Sequence, residues 1–427
     1  MRQWLVSHLV SAPLGCLEPG CKSDVWVDLL DWWSVASPND DLSWDRPAAR
    51  LPVRPELAAA RPYGAPQPPV AVPLNVNENP YSPPTQVVRA ISKQIEQAAT
   101  QLNRYPDRDF TQLRQALAAY LAKESQATGL AADNIWAANG SNEVMLHIFQ
   151  AFGGPGRTAL SFDPTYSMYP EYARNTYTAW ATGDRRPDFS IDPSAGIGQI
   201  KQTGASLVLL ASPNNPTGTA VPLSLVDQMC AESAGQALIV VDEAYAEFRP
   251  PGMPSALSLL GRHNNLVVTR TMSKAFALAG ARLGYAAGSA ELIGYLRTVR
   301  LPYHLSTLTQ VAASAALAQA DLMLARVAEL RQSRDQLRAT LLGLGLACPD
   351  SAANFLLFGH FESADLVWRD LLDQGVLVRQ VGPPGYLRVS VGSPDQNRRF
   401  VQALTKAIDK MPGALALEPP QEGEIRS

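Results

Sequence analysis

The sequence predicts an α/β fold: a mostly parallel sheet with helices on both faces, followed by a smaller α+β domain. Three observations carry that prediction. Short apolar runs alternate with helical periodicity through the middle of the chain, the pattern of parallel strands joined by crossover helices. Several of these runs end in clusters of polar residues, and ligands on open parallel sheets bind beyond the carboxyl ends of the strands. A long helical stretch at 321–346 then leads to a second, shorter set of strand-like runs.

The first fifty residues differ from the rest. They hold five of the eight tryptophans, namely Trp4, Trp26, Trp32, Trp33 and Trp44. The stretch after Met1 is no convincing signal peptide, because its short apolar run is broken by Ser7 and His8 and no clear cleavage site follows. Residues 26–35 carry an amphipathic helical pattern, but 1–50 is expected to be an extension outside the fold, either disordered or the product of a start site assigned too early. An arm at 51–84 follows. Its proline density predicts an extended crawl over a surface rather than an element.

The large domain is expected at 85–310. Helical periodicity starts near Thr85, and Phe110, Leu113, Leu117 and Tyr120 share one face of a helix at 109–123. Strand-like runs follow at 134–138, 159–162, 207–211, 237–241, 266–269 and 283–287. The cluster Gly153-Gly154-Pro155-Gly156 reads as a turn. The small domain is expected at 311–411 together with part of the N-terminal arm, joined by the long helix, with strands at 354–358, 376–379 and 386–391. The tail at 412–427 has little apolar content and reads as disordered.

Composition excludes several classes. With 427 residues the chain is long enough for two domains with sizeable cores. A net charge of −3 gives no nucleic-acid footprint, and no apolar stretch approaches a membrane span. Cys16, Cys21, Cys230 and Cys348 are too scattered for a disulfide framework, and the five histidines do not cluster, so no metal site is expected.

The chemistry lies in four motifs: Ser212-Pro213-Asn214-Asn215-Pro216-Thr217-Gly218, Val241-Asp242-Glu243-Ala244-Tyr245, Thr271-Met272-Ser273-Lys274, and Ala281-Arg282-Leu283-Gly284. Taken singly each has a bland meaning. Ser-Lys is a common surface pair, Asp-Glu after a strand is often a cap or metal ligand, and Asn-Pro-Thr-Gly is a turn. In this order they supply an amine, a carboxylate, a phenol, an amide, a hydroxyl and a guanidinium. Pyridoxal 5'-phosphate needs that set: an amine for covalent linkage, a carboxylate to keep the pyridine nitrogen protonated, neutral donors for the phenolic oxygen, and phosphate ligands. Gly140-Ser141-Asn142 opens an apolar helix after a strand and adds a helix N-terminus for the phosphate.

Asn215, Asp242, Lys274 and Arg282, in that order, resemble the fold-type-I pyridoxal-phosphate enzymes, which implies a seven-stranded sheet in the large domain. On that resemblance Lys274 is the catalytic lysine and Asp242 pairs with the pyridine nitrogen. Asn215 and Tyr245 hold the phenolic oxygen. Ser273, Arg282 and the Gly140-Ser141-Asn142 turn hold the phosphate. Tyr166, in Phe162-Asp163-Pro164-Thr165-Tyr166, stacks on the ring.

Further motifs narrow the resemblance. They are Leu74-Asn75-Val76-Asn77-Glu78-Asn79-Pro80-Tyr81, Asn103-Arg104-Tyr105-Pro106-Asp107, Arg300-Leu301-Pro302-Tyr303-His304 and Ala353-Asn354-Phe355. From about Leu51 to Asp409 the chain is similar to the histidinol-phosphate aminotransferases, and through Pro62-Tyr63-Gly64-Ala65-Pro66 to their actinobacterial branch. This resemblance implies a cytoplasmic enzyme of histidine biosynthesis. Its amino-group exchange runs between the pairs L-histidinol phosphate/imidazole acetol phosphate and 2-oxoglutarate/L-glutamate. It also implies a substrate phosphate met by Arg379 and Arg388, with Asn215 and Tyr81 on the substrate side. Tyr105 would reach the cofactor phosphate of a neighbouring subunit, and hence a homodimer would share its active sites. An aromatic amino-acid aminotransferase on the same scaffold, using Arg388 for an α-carboxylate, is the alternative.

Overall fold

The computed structural model describes residues 52–58 and 60–410. The extension, including the helical pattern at 26–35, and the tail lie outside the described residues. The chain divides into a unit ending at Pro68 and a unit beginning at Pro69. In the first, the one described regular element is a helical turn, Pro55–Ala58.

The second unit holds a seven-stranded sheet. In chain order its strands are β2 (Ile135–Asn139), β3 (Thr158–Asp163), β4 (Ala179–Asp184), β5 (Leu207–Ala211), β6 (Leu238–Asp242), β7 (Leu266–Thr271) and β8 (Leu283–Gly288), after a two-residue β1 (Val72–Pro73) in the arm. Their order across the sheet is β2-β8-β7-β6-β5-β3-β4. All neighbours pair in parallel except β8, which is antiparallel to both β7 and β2. β5, β6, β7 and β8 are buried at every position, as strands covered on both faces must be.

Six of these strands coincide with the predicted runs. β4 does not, because Ala-Trp-Ala-Thr-Gly-Asp offers no apolar run. It is an edge strand with a single buried residue, Gly183. The helix predicted at 109–123 is Thr111–Ser125, entered through Phe110 in a left-handed conformation. The long helix is Ala320–Gly343, and a helix at Thr307–Leu317, not anticipated, packs before it.

Three short strands complete the unit: β9 (Phe355–Gly359), β10 (Val376–Leu377) and β11 (Tyr386–Ser390). β11 is antiparallel to β9, and β10 pairs in parallel with β1. The arm was expected to form no element. That expectation is corrected by β1, whose Val72 and the following Leu74 join the hydrophobic cluster around Phe358, Leu387 and Phe400. Burying two apolar side chains at roughly 2 kcal/mol each fixes where the arm runs next. Among the described residues no single helix is long and apolar enough to cross a membrane.

Candidate active site

The sheet delivers the motif residues to one edge. β5, β6 and β7 are parallel, so Asn215, Asp242 and Lys274 emerge beyond their carboxyl ends. β8 runs the other way, so Arg282, which precedes it, arrives at the same edge, and so does Gly140, which follows β2.

At that edge the helix Ser141–Phe152 begins without a side-chain cap. Its first N–H groups and the positive end of its dipole are therefore available to an anion. Two glycines make room. A Cβ on Gly284 would stand 2.1 Å from the Ser141 nitrogen, and one on Gly140 would stand 2.6 Å from Arg282 Nη2. Only glycine at both positions lets β8 meet the helix start with the Arg282 guanidinium beside it. Ser273 follows the end of β7, beside Thr271, whose hydroxyl donates to the Leu283 carbonyl of β8. Thr271 Oγ1 accepts from the Ser273 N–H at 3.1 Å and contacts Ser273 Oγ at 3.0 Å. Uncapped N–H groups, a guanidinium and a hydroxyl form a phosphate-type cradle. Ser141 is half-buried within it and Asn142 is exposed.

Asp242 and Glu243 are adjacent yet serve different ends, because successive residues of a strand point to opposite faces. Glu243 is taken up by Arg270, at 2.8 and 3.0 Å, in a buried ionic cluster. Asp242 points the other way. Tyr169 donates to its Oδ2 at 3.0 Å, and Thr269 Oγ1 and the Ala244 N–H donate to its Oδ1, each at 3.2 Å. Burial outweighs these donors and raises the carboxyl to about 6. Pairing with a cation would push it the other way. Tyr166 stands edge-on to Tyr169, ring centroids 5.5 Å apart.

Lys274 is half-buried, and the loss of solvent around its amine, with help from Arg388, lowers it to about 8. Its Nζ donates to the Val76 carbonyl at 3.0 Å and lies 6.0 Å from the Tyr245 ring centre. Arg388 donates to Asn215 Oδ1 at 2.5 Å and to the Asn75 carbonyl at 2.7 Å. Arg379 and Arg388 form a bridge across adjacent backbones, each N–H donating to the other's carbonyl at 2.9 Å. Residues so paired project from the same face, with Cβ atoms about 5 Å apart.

Two predicted residues sit apart from these contacts. The Tyr81 ring lies under Arg326, 4.9 Å from the guanidinium carbon. Tyr105 is 81% exposed and stacks on Tyr303, with ring centroids 4.6 Å apart. Three residues join the site unforeseen. Tyr169 was signalled only by its place one helical turn beyond Tyr166. Asn77 and Asn354 lay inside quoted motifs, but no local pattern said which asparagine would be buried.

The sheet order, the phosphate-type cradle and the arrival of Lys274 and Asp242 at the same sheet edge define an aminotransferase-like enzyme of fold type I. The model of the aminotransferase class I and II family matches residues 69–404. The chain is 53% identical to a histidinol-phosphate aminotransferase of Thermobifida fusca, covering 84% of this chain and 96% of that one. It is 50% identical to the one of Bifidobacterium longum, covering 84% and 97%. The crystal structure of histidinol-phosphate aminotransferase from Sinorhizobium meliloti, in complex with pyridoxal 5'-phosphate, superposes with a TM-score of 0.75 at 25% identity, covering 85% of this chain and 99% of that one. The chain belongs to the class I and II aminotransferases and, within them, to the histidinol-phosphate aminotransferase family.

Proposed function

We propose that the protein exchanges an amino group between L-histidinol phosphate and 2-oxoglutarate, in histidine biosynthesis, with pyridoxal 5'-phosphate as cofactor. The observation that carries the substrate reading is the Arg379–Arg388 pair on one face of the small sheet. A substrate carboxylate carries one negative charge, whereas a phosphate ester carries nearly two at neutral pH. Two guanidiniums match the latter.

When bound, the cofactor supplies an electron sink that stabilises negative charge on the substrate carbon bearing the amino group. The residues supply the rest. Asp242 holds a positive charge on the ring nitrogen, with Tyr169, Thr269 and the Ala244 N–H fixing its orientation. Tyr166 covers the ring. Tyr245 and Asn215 serve the phenolic oxygen, and Asn215 is itself held by Arg388 from the substrate side. The uncapped helix start at Gly140, Ser141 and Asn142, with Ser273 and Arg282, holds the phosphate. Lys274 would hold the cofactor through its amine and, when that amine is free, would carry the proton taken from the substrate carbon. An amine near 8 has a neutral fraction at physiological pH, so it can accept that proton and return it.

The exposed Tyr105 fits a homodimer in which it reaches the partner's cofactor phosphate, with Tyr81 on the substrate side. Two inactive variants test the shared site. Lys274→Ala mixed and refolded with Tyr105→Phe should regain activity, since half the sites of each hybrid dimer are intact. We place the enzyme in the cytoplasm, which cell fractionation checks. For the reaction itself, adding L-histidinol phosphate to the holoenzyme should bleach the cofactor's visible band within the dead time of turnover. Phenylalanine at equal concentration should do so far more slowly. The reverse preference would move the protein to the aromatic aminotransferases.

A further inference from the structure

Asn77 is almost wholly buried, stands in the left-handed region at φ 56, and uses every polar group it has. Its N–H donates to Ser390 Oγ at 2.8 Å, and its carbonyl accepts from Asn354 Nδ2 at 3.1 Å. Its Oδ1 accepts from Ser390 Oγ at 3.0 Å, and its Nδ2 lies 3.0 Å from Tyr245 Oη. The Ser390 hydroxyl has one proton. With that proton donated to Oδ1, the amide places its oxygen at Ser390 and its nitrogen at Tyr245. An amide nitrogen only donates. Tyr245 Oη is therefore the acceptor in this pair, and its own proton is directed away from Asn77.

We propose that Asn77 is a positioning residue for Tyr245, donating into its hydroxyl so that the hydroxyl's proton is committed to the phenolic oxygen of the cofactor. The inference rests on the cofactor reading above. A purely structural Asn77, filling a left-handed turn, would need only its backbone bonds and Ser390. The fourth bond instead reaches a residue 168 positions away. Its anchor, Ser390, also lies two residues beyond Arg388 on β11, so both share one face of that strand.

The consequence is measurable. A hydroxyl that accepts one hydrogen bond donates a stronger second one. A bond donated to the phenolic oxygen stabilises its negative charge most once the neighbouring Lys274 nitrogen has lost its proton. Tyr245 therefore lowers the pH at which that proton leaves, and Asn77 strengthens the effect.

The test titrates the visible absorbance of the holoenzyme against pH in wild type, Asn77→Gly, Tyr245→Phe and the double variant. Glycine keeps the left-handed conformation without strain. Asn77→Gly should raise the midpoint by a few tenths of a unit, the cooperative fraction of one hydrogen bond. Tyr245→Phe should raise it as well, and Asn77→Gly should add nothing in that background. A wild-type midpoint in Asn77→Gly, or an equal shift in both backgrounds, overturns the proposal. Ser390→Ala, which frees the amide to rotate, should give a smaller rise of the same sign. Should Asn77→Gly fail to fold, an unshifted Ser390→Ala is the overturning result. A wild-type band that does not titrate at all strikes the reading of Lys274 beneath both.

Discussion

Tyr169 Oη donates to Asp242 Oδ2 at 3.0 Å, leaving Oδ1 to Thr269 and the Ala244 N–H. Three neutral donors are thus aimed at one buried carboxylate, yet burial still holds its pKa above the ordinary carboxylate range. The site is built for a charge that the protein alone stabilises poorly, which makes its stability and its activity pull in opposite directions.

Asp242→Asn should expose that opposition. The ordinary value is 3.8 and the folded value is about 6. Between these, the unfolded chain has released its proton and the folded chain has not, so folding takes up a proton and stability falls as pH rises. Above about 6 the loss is complete, worth up to roughly 3 kcal/mol. Ligand-free Asp242→Asn should therefore melt above wild type at pH 8, with the difference shrinking towards pH 4. The new amide NH₂ meets one of the donors, which subtracts from the gain. Turnover should fall on the order of 30- to several-thousand-fold. Near-wild-type turnover would show that another group holds the ring nitrogen.

Lys274 should react as an amine of pKa about 8. Covalent reconstitution of the cofactor-free protein should speed up about tenfold per pH unit below that value and level off above it. Borohydride reduction of the holoenzyme, followed by peptide mapping, should label Lys274. A label on Lys201 or Lys93 instead would sink the assignment.

What the sequence disclosed, and what it hid, follows the range of the interactions. Asp242, Lys274 and Arg282 were legible because each stands at the end of a fully buried strand or just beside one, and such strands announce themselves as apolar runs. Edge strand β4 was not, since a half-solvated strand of Ala, Thr and Gly carries no run to see. Tyr169 and Asn77 were hidden for a different reason. Their partners lie 73 and 168 residues away, brought close by sheet order and by the arm's anchoring rather than by any local pattern. The pairing of Arg379 with Arg388 sits between these cases: both strands were visible, but their register was not.

Residues 1–50 should be dispensable. They lie outside the family match, which begins at residue 69, and they differ in composition from the rest. A chain beginning at Leu51 should fold, dimerise and turn over as the full chain does, as checked by sedimentation and steady-state rates. Loss of solubility or activity would mean that the tryptophan-rich segment packs on the enzyme.

The two arginines should divide the work of substrate recognition. Arg388 is buried and tied to Asn215 and to the arm through the Asn75 carbonyl, so it serves any substrate anion. Arg379 is half-buried and opposes Arg388 across the backbone pair, so it adds the second guanidinium that a near-dianion requires. A hydrogen bond to a charged group is worth about 1.5–3 kcal/mol. Arg379→Ala should therefore cost roughly ten- to a hundred-fold in kcat/KM for L-histidinol phosphate, and much less for any carboxylate amino acid the enzyme accepts. Arg388→Ala should damage both, and more severely, because it also strands Asn215. Steady-state kinetics with the two substrate types separates these outcomes. Equal losses on both substrates in Arg379→Ala would make Arg379 a structural residue. The specificity for a phosphate would then have to come from elsewhere in the cleft.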